Sequence, residues 1–312
     1  MTRRTGVVLM AYGTPSGPDA VEAYYTDIRR GRPPTPDQLA DLIRRYDAIG
    51  GVSPLAERTE AQRSRLQLEL DARRPQDYDV VLGLKHADPS IEEGVTGLAA
   101  RGVSDVIGVV LAPHWSALSV AQYLDRAGAA AGAARLAFQG VENWHLEPAF
   151  LDFLAGAVRS ELGRLPAGTT VVFSAHSLPE RILTTGDPYP AQLAETADAV
   201  ASRVGLEPDK WRVAWQSAGR TPEPWLGPDI LAVIDELAAA GRAGVLVCAC
   251  GFVADHLEIL YDLEIEARQR AEAAGLAFAR TACVNDDPRV LGALADRVIA
   301  LADSRGAAVT GG

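Results

Sequence analysis

Short runs of apolar, often β-branched residues alternate along this chain with longer stretches whose apolar positions recur every three or four residues. The runs Gly6–Ala11, Asp79–Leu84, Val103–Leu111, Arg135–Phe138, Thr169–Ala175, Arg212–Trp215 and Gly244–Cys250 predict strands. Between them, Pro18–Arg29, Thr35–Ile49, Leu55–Arg73, Ser90–Ala100, Ser119–Ala131, Pro148–Leu162, Pro188–Val204, Asp229–Ala240 and Asp255–Ala274 carry a helical period. Several strands are apolar at nearly every position, as burial on both faces requires. The alternation as a whole predicts an α/β fold with parallel sheets wrapped by helices. The halves also echo each other: Val7-Val-Leu-Met-Ala-Tyr-Gly-Thr-Pro15 resembles Val171-Val-Phe-Ser-Ala-His-Ser-Leu-Pro179, and Gly108–His114 corresponds to Gly244–Cys250. The echo predicts two similar Rossmann-like, doubly wound domains with a cleft between them, expected at residues 1–145 and 146–312. Chance likeness of two strand–turn segments is the alternative. Ligands in such folds gather beyond the carboxyl ends of the strands, which singles out Tyr12, Lys85, His86, His114, His176 and Gly251–Glu258.

Composition narrows the partners. With 312 residues the chain is too long for one comfortable core, and 48% hydrophobic against 23% charged residues is the balance of a soluble globular protein. Thirty basic against 41 acidic residues leave a net charge of −11, which argues against nucleic acid or an anionic membrane surface as a partner. No apolar run is long enough to span a bilayer. Met1-Thr2-Arg3-Arg4 leads straight into a strand-like run rather than a signal-peptide core, so a cytoplasmic location is expected. Three cysteines make no disulfide framework and fall one short of an all-cysteine iron–sulfur cluster; Cys248 and Cys250 read as buried strand residues. Only Lys85 and Lys210 are lysines.

Three groups of residues could do chemistry. His176 stands where an apolar strand ends, a position that exposes an imidazole with near-neutral titration, although a hydrogen-bonded strand-end histidine is an ordinary structural feature. Asp255 and Glu258 have the spacing of a capping box at a helix start. Glu258, Asp262 and Glu266 then recur at every fourth position, with Glu264 nearby. Like charges so spaced disfavour a helix by about 0.2–0.5 kcal/mol per pair, so the row is either a solvated face or a place for a hydrated divalent cation. Near the N-terminus, Tyr12, Tyr24, Tyr25, Arg29, Arg30, Arg32, Arg44, Arg45 and Tyr46 mix rings with guanidiniums. That mixture suits a flat, aromatic polyanion as well as it suits a solvated surface. No Gly-rich dinucleotide fingerprint or P-loop is present.

These residues fall into motifs that resemble ferrochelatases: Ala11-Tyr-Gly-Thr-Pro15, Tyr24-Tyr-Thr-Asp-Ile-Arg-Arg-Gly-Arg-Pro33, Gly50-Gly-Val-Ser-Pro-Leu55, Gly83-Leu-Lys-His86, Leu111-Ala-Pro-His114, Phe173-Ser-Ala-His-Ser-Leu-Pro179, Trp215-Gln-Ser217, Trp225-Leu-Gly-Pro228 and Gly251-Phe-Val-Ala-Asp-His-Leu-Glu258. They lie in the family's order over residues 6–266 and are most similar to the soluble bacterial branch that metallates coproporphyrin III. The resemblance implies two Rossmann-like domains with a porphyrin cleft between them. It further implies His176 and Glu258 as the metal and proton-transfer pair, Asp262 and Glu266 as an acidic ridge, and Tyr12 as a metal contact from the opposite face. Porphyrin contacts would come from Tyr12, Arg29, Arg45, Tyr46, Ser53 and Tyr123, with Lys85 and His86 as a further family pair.

The implied activity is insertion of Fe²⁺, as substrate, into coproporphyrin III to give coprohaem, with transient hand-over to the next haem-pathway enzyme. No permanently bound cofactor is expected. Relatives with a [2Fe–2S] cluster use cysteines this chain lacks, so no cluster is expected either. The family expectation is a monomer. Metallation of protoporphyrin IX, chelation into sirohydrochlorin and a non-catalytic haem carrier are the competing readings. A nucleotide-dependent oxidoreductase is disfavoured by the missing fingerprint.

Overall fold

A computed structural model of the chain describes residues 4–219 and 221–310, with side chains as far as residue 305. Met1, Thr2 and Arg3, read above for a leader, lie outside the described residues. The chain divides into two compact units. The first comprises Met1–Ala112, Ser119–Asn143 and Asn285–Gly312; the second comprises Pro113–Leu118 and Trp144–Val284.

In the first unit, strand β1 (Thr5–Ala11) is followed by helices α1 (Val21–Ile28), α2 (Pro36–Ala48) and α3 (Leu55–Arg73). Then come β2 (Tyr78–Leu84), α4 (Ile91–Ala100), β3 (Asp105–Val110), α5 (Val120–Ala133) and β4 (Ala137–Val141). The second unit holds α6 (Pro148–Leu162), β5 (Thr169–His176), α7 (Arg181–Thr184), α8 (Tyr189–Val204), β6 (Trp211–Gln216), α9 (Ile230–Ala239) and β7 (Gly244–Cys248). A π-helix (Glu258–Ala267) then runs into α10 (Arg268–Ala273), and β8 (Ala277–Arg280) completes the unit. The chain re-enters the first unit with α11 (Pro288–Thr310).

Both sheets are four-stranded and parallel, ordered β2-β1-β3-β4 and β6-β5-β7-β8. The half-chain echo is therefore topological. β1 and β5 take the same inner position, and Val7 lies between Val80 and Ile107 as Val171 lies between Trp211 and Leu246. Both strands are covered on both faces, every residue of β1 and all but the last of β5 being buried. Several helices begin where the sequence supplies a cap: Thr35 with Gln38 and Ser90 with Glu93 form capping boxes, and Asp229 accepts from Leu231 N–H.

Three expectations are corrected. Residues 285–312 do not belong with 146–284. Arg73 of α3 pairs with Asp296 of α11 at 2.6 Å, Arg74 pairs with Asp303, and Gln62 donates to the Asn285 carbonyl at 3.0 Å, so α11 packs on the first unit. Cys250 lies beyond the end of β7, which stops at Cys248. The stretch from Glu258 to Ala267 is a π-helix with i→i+5 bonding rather than an α-helix, and Asp255 and Glu258 form no capping box. The apolar stripe Ile259, Leu263 and Ala267 is fully buried in the second unit's core with Val172, Ile234 and Val247. Two elements past residue 274, β8 and α11, have no counterpart in the sequence reading.

Candidate active site

His176 is the last residue of β5, and its surroundings fix it from several sides. The Ser177 N–H donates to the Gln216 carbonyl at 2.7 Å and the Ser177 hydroxyl to the Leu226 carbonyl at 2.8 Å. The Tyr189 hydroxyl donates to the His176 carbonyl at 3.0 Å. Behind it, Gly251 N–H donates to the Ser174 carbonyl at 3.0 Å. A Cβ on Gly251 would overlap Ala175, lying 2.7 Å from its Cα, so this close approach admits only glycine.

Glu258 opens the π-helix beside this strand end, its carbonyl accepting from the Gln216 side chain at 3.4 Å. Its carboxylate stands between two imidazoles, 3.6 Å from His176 Nε2 and 3.7 Å from His256 Nε2. Burial pulls the His176 imidazole down, but the Glu258 charge and hydrogen bond, the Ser177 carbonyl at Nδ1 and the Asp262 charge outweigh it and raise it to about 9. Burial pushes Glu258 up, and the two histidines overcome that and hold it well below the usual carboxylate range. The metal-free pair is thus an imidazolium facing a carboxylate. His256 lies within the Gly251–Glu258 segment that the sequence singles out, but it has no role in that reading; its spacing two residues before Glu258 is the available signal.

The row of carboxylates runs outward. Asp262 is 7% exposed and accepts a hydrogen bond from the Ser217 hydroxyl, while Glu266 is exposed. Ser217 holds φ at +59°, a left-handed conformation that costs a non-glycine residue energy. The neighbouring acids are used otherwise. Glu264 pairs with Arg268 at 2.6 Å and Arg280 at 2.7 Å, and Asp255 pairs with Arg280 at 3.1 Å. Among the described residues no three His, Cys, Asp or Glu side chains are grouped so as to hold an ion by themselves. Cys248, Cys250 and Cys283 are free and buried, and burial pushes the Cys250 thiol well up.

In the first unit, Tyr12 follows β1 and is 41% exposed. The ends of β1 and β2 are tied together: Lys85 N–H donates to the Ala11 carbonyl at 2.9 Å and His86 N–H to the Tyr12 carbonyl at 3.0 Å. Gly13, with φ at +89°, permits this, because a Cβ there would lie 2.7 Å from that of Ala87. Lys85 Nζ lies 5.9 Å from the Tyr12 ring centre and 5.1 Å from that of Tyr123, and donates to Gln122 Oε1 at 2.8 Å. Burial, with the Arg126 and Arg30 charges, lowers the Lys85 ammonium to about 8. Tyr12, Tyr123, Lys85 and His86 are therefore brought together.

The remaining sequence-predicted residues are more scattered. Tyr46 is buried, its hydroxyl 3.3 Å from that of Thr14. Ser53 is buried and its hydroxyl accepts from Leu55 N–H at the start of α3. Arg29 donates to the Arg32 carbonyl at 3.2 Å and covers the Tyr25 ring, and Arg45 is half-buried on α2. No helix of the described residues is long and apolar enough to cross a membrane.

Comparison with known proteins bears on the fold and the family. Solved chelatase structures share the fold: SirB from Bacillus subtilis with Fe³⁺ superposes with a TM-score of 0.60 at 13% identity, covering 97% of this chain and 98% of that one. CbiX, described as the terminal enzyme for biosynthesis of siroheme in denitrifying bacteria, gives 0.52 at 12% identity, covering 96% and 99%. Sequence relatives are much nearer. A ferrochelatase of Herpetosiphon aurantiacus is 44% identical over 295 residues, 92% of this chain and 96% of the relative. A coproporphyrin III ferrochelatase of Geobacillus kaustophilus is 42% identical over 309 residues, 96% of each chain. The ferrochelatase family model itself matches residues 4–301, and the chain belongs to that family.

Proposed function

We propose that the protein inserts Fe²⁺ into coproporphyrin III, with His176 and Glu258 as the metal and proton pair and with Tyr12, Arg29, Arg45, Tyr46, Ser53 and Tyr123 as contacts to the ring. The observation that carries the chemistry is the Glu258 carboxylate set between His176 and His256, with Asp262 and Glu266 leading from buried to exposed. The relatives named for coproporphyrin III carry the choice of porphyrin. Fe²⁺ and the porphyrin are the partners in this reading. The net charge of −11 disfavours nucleic acid and anionic membranes, in keeping with work in the cytoplasm.

Metallation exchanges one Fe²⁺ for two pyrrole protons. His176 begins as an imidazolium, and in that form it can neither accept a proton nor bind a cation. A divalent ion arriving at Glu258 reverses the local electrostatics and drives the His176 proton off, leaving a neutral imidazole to take a proton from a pyrrole N–H. Asp262 and Glu266 give the displaced His176 proton a path to solvent and then pass on the two pyrrole protons, which His176 takes one after the other. In the first unit, Tyr12 offers a phenol oxygen to the metal, and Lys85 with Arg29 and Arg45 offers cations to carboxylates. Four propionates would use such cations more fully than two.

The experiment is anaerobic Fe²⁺ insertion followed by absorbance, with coproporphyrin III and protoporphyrin IX side by side. Fast metallation of coproporphyrin III, lost in His176→Ala, is expected. Preference for protoporphyrin IX would overturn the choice of ring. Tight binding of either ring without metallation would leave a carrier.

A further inference from the structure

Nothing above uses the pair formed by Asp27 and His86. The bonds that tie the ends of β1 and β2 together place the His86 ring against that of Tyr12, with centroids 4.6 Å apart and planes inclined at 58°. His86 Nδ1 lies 2.7 Å from Asp27 Oδ2. A carboxylate only accepts, so Nδ1 carries the hydrogen, and in the neutral ring Nε2 is the bare nitrogen. The His86 side chain is 13% exposed and that of Asp27 62%, so a largely solvated carboxylate reaches in to a largely buried imidazole. Asp27 stands in the last turn of α1, where the helix macrodipole disfavours negative charge and Arg29, at the C-cap, is the nearest basic residue in the chain. Local helix preference therefore does not account for an aspartate there, and the imidazole N–H does.

We propose that Asp27 is a positioning residue for the metallation reaction: it fixes the tautomer and ring angle of His86, and His86 in turn fixes the ring of Tyr12. The inference rests on the reading of Tyr12 as a contact to the reacting porphyrin. Without the carboxylate, His86 is free to exchange tautomers and flip, and the exposed Tyr12 ring loses one wall. Groups at a reacting centre need placement to within about 0.5 Å, so the loss falls on turnover more than on binding.

The test combines two readouts on the full chain. In ¹⁵N NMR of the free protein, His86 (assigned through His86→Gln) should show a single tautomer protonated at Nδ1, and Asp27→Ala should convert it to a mixture. Asp27→Glu, which keeps the carboxylate, should restore the single tautomer. In the metallation assay Asp27→Ala should lower kcat about tenfold with KM for coproporphyrin III within twofold, the scale found when a histidine loses its carboxylate partner. His86→Ala should lose as much, and the double variant no more. A wild-type His86 protonated at Nε2, an unchanged tautomer in Asp27→Ala, or losses that multiply in the double variant would each overturn the proposal. Failure of the wild type to metallate either porphyrin would remove the functional reading instead, and the NMR arm would still decide whether Asp27 sets the His86 tautomer.

Discussion

Replacing Glu258 by glutamine removes the charge that holds His176 protonated while keeping the side chain's size. The imidazole is raised to about 9 against burial that pulls it down, and Glu258 is the largest of the groups that raise it. Without the carboxylate it should therefore fall well below 9, with the Ser177 carbonyl and the Asp262 charge left to oppose burial. The change is downward. It is read directly from the chemical shift of the His176 ring in an NMR titration from pH 5 to 10. A second consequence follows by linkage. The folded protein holds the His176 proton more tightly than the unfolded chain, so the pair's stabilisation is fully present below about pH 6.5 and is lost as pH rises through about 9. A gap of 2.5 units corresponds to about 3.4 kcal/mol at most. The two side chains are 35% and 30% exposed, and solvent screening reduces this to about 1–2 kcal/mol. Urea unfolding of wild type and Glu258→Gln at several pH values isolates that difference, since other titrations are common to both. A wild-type imidazole titrating near 6.5, or one still near 9 in the variant, would refute the account of the pair.

Gly251→Ala should destabilise the chain by about 1–3 kcal/mol, because the new methyl overlaps Ala175 in a strand bonded on both sides; an unchanged urea midpoint would count against the packing described. Ser217→Ala should remove one hydrogen bond from the Asp262 carboxylate and lower kcat about tenfold, the worth of one hydrogen bond to a charged group at about 1.5 kcal/mol, while porphyrin affinity measured by fluorescence quenching stays the same. Unchanged turnover would remove Asp262 from the proton path. Lys85 is charged only below about pH 8, so coproporphyrin binding should weaken as pH rises through that value, and Lys85→Met should bind more weakly at pH 7 with that step absent. A step of the same size in the variant would show that another group is responsible.

What was legible in the sequence is what repeats locally. β1 and β5 announce themselves as unbroken apolar runs because both faces of a central parallel strand are buried, and Leu55–Arg73 and Pro148–Leu162 match α3 and α6 residue for residue. The strand-end placement of Tyr12 and His176 followed from that pattern, and family motifs picked out Glu258. The π-helix was not legible, because Ile259, Leu263 and Ala267 fit an α-helical period equally well. Asp255 was misread for a related reason. Its partner Arg280 lies on β8, 25 residues away, and long-range pairing has no local signature. β8 is only four residues long and flanks the sheet, too short for a periodicity to register. The kinship of 285–312 with the first unit depends on ion pairs across more than two hundred residues, which no boundary rule anticipates.

That last feature sets an order of assembly during synthesis. The second unit's strands and helices, from Trp144 to Val284, have all been synthesised before α11 begins. The first unit started earlier, yet it must wait for α11. Until then α3, whose Leu66 and Leu70 are fully buried in the finished protein, lacks the segment that Gln62 and Arg73 bind. At about 5–20 residues per second, the stretch from 285 to 310 takes about 1–5 s to make. The half of the protein translated first is therefore completed last, and a chain released at residue 284 should hold all of the second unit and a first unit without α11.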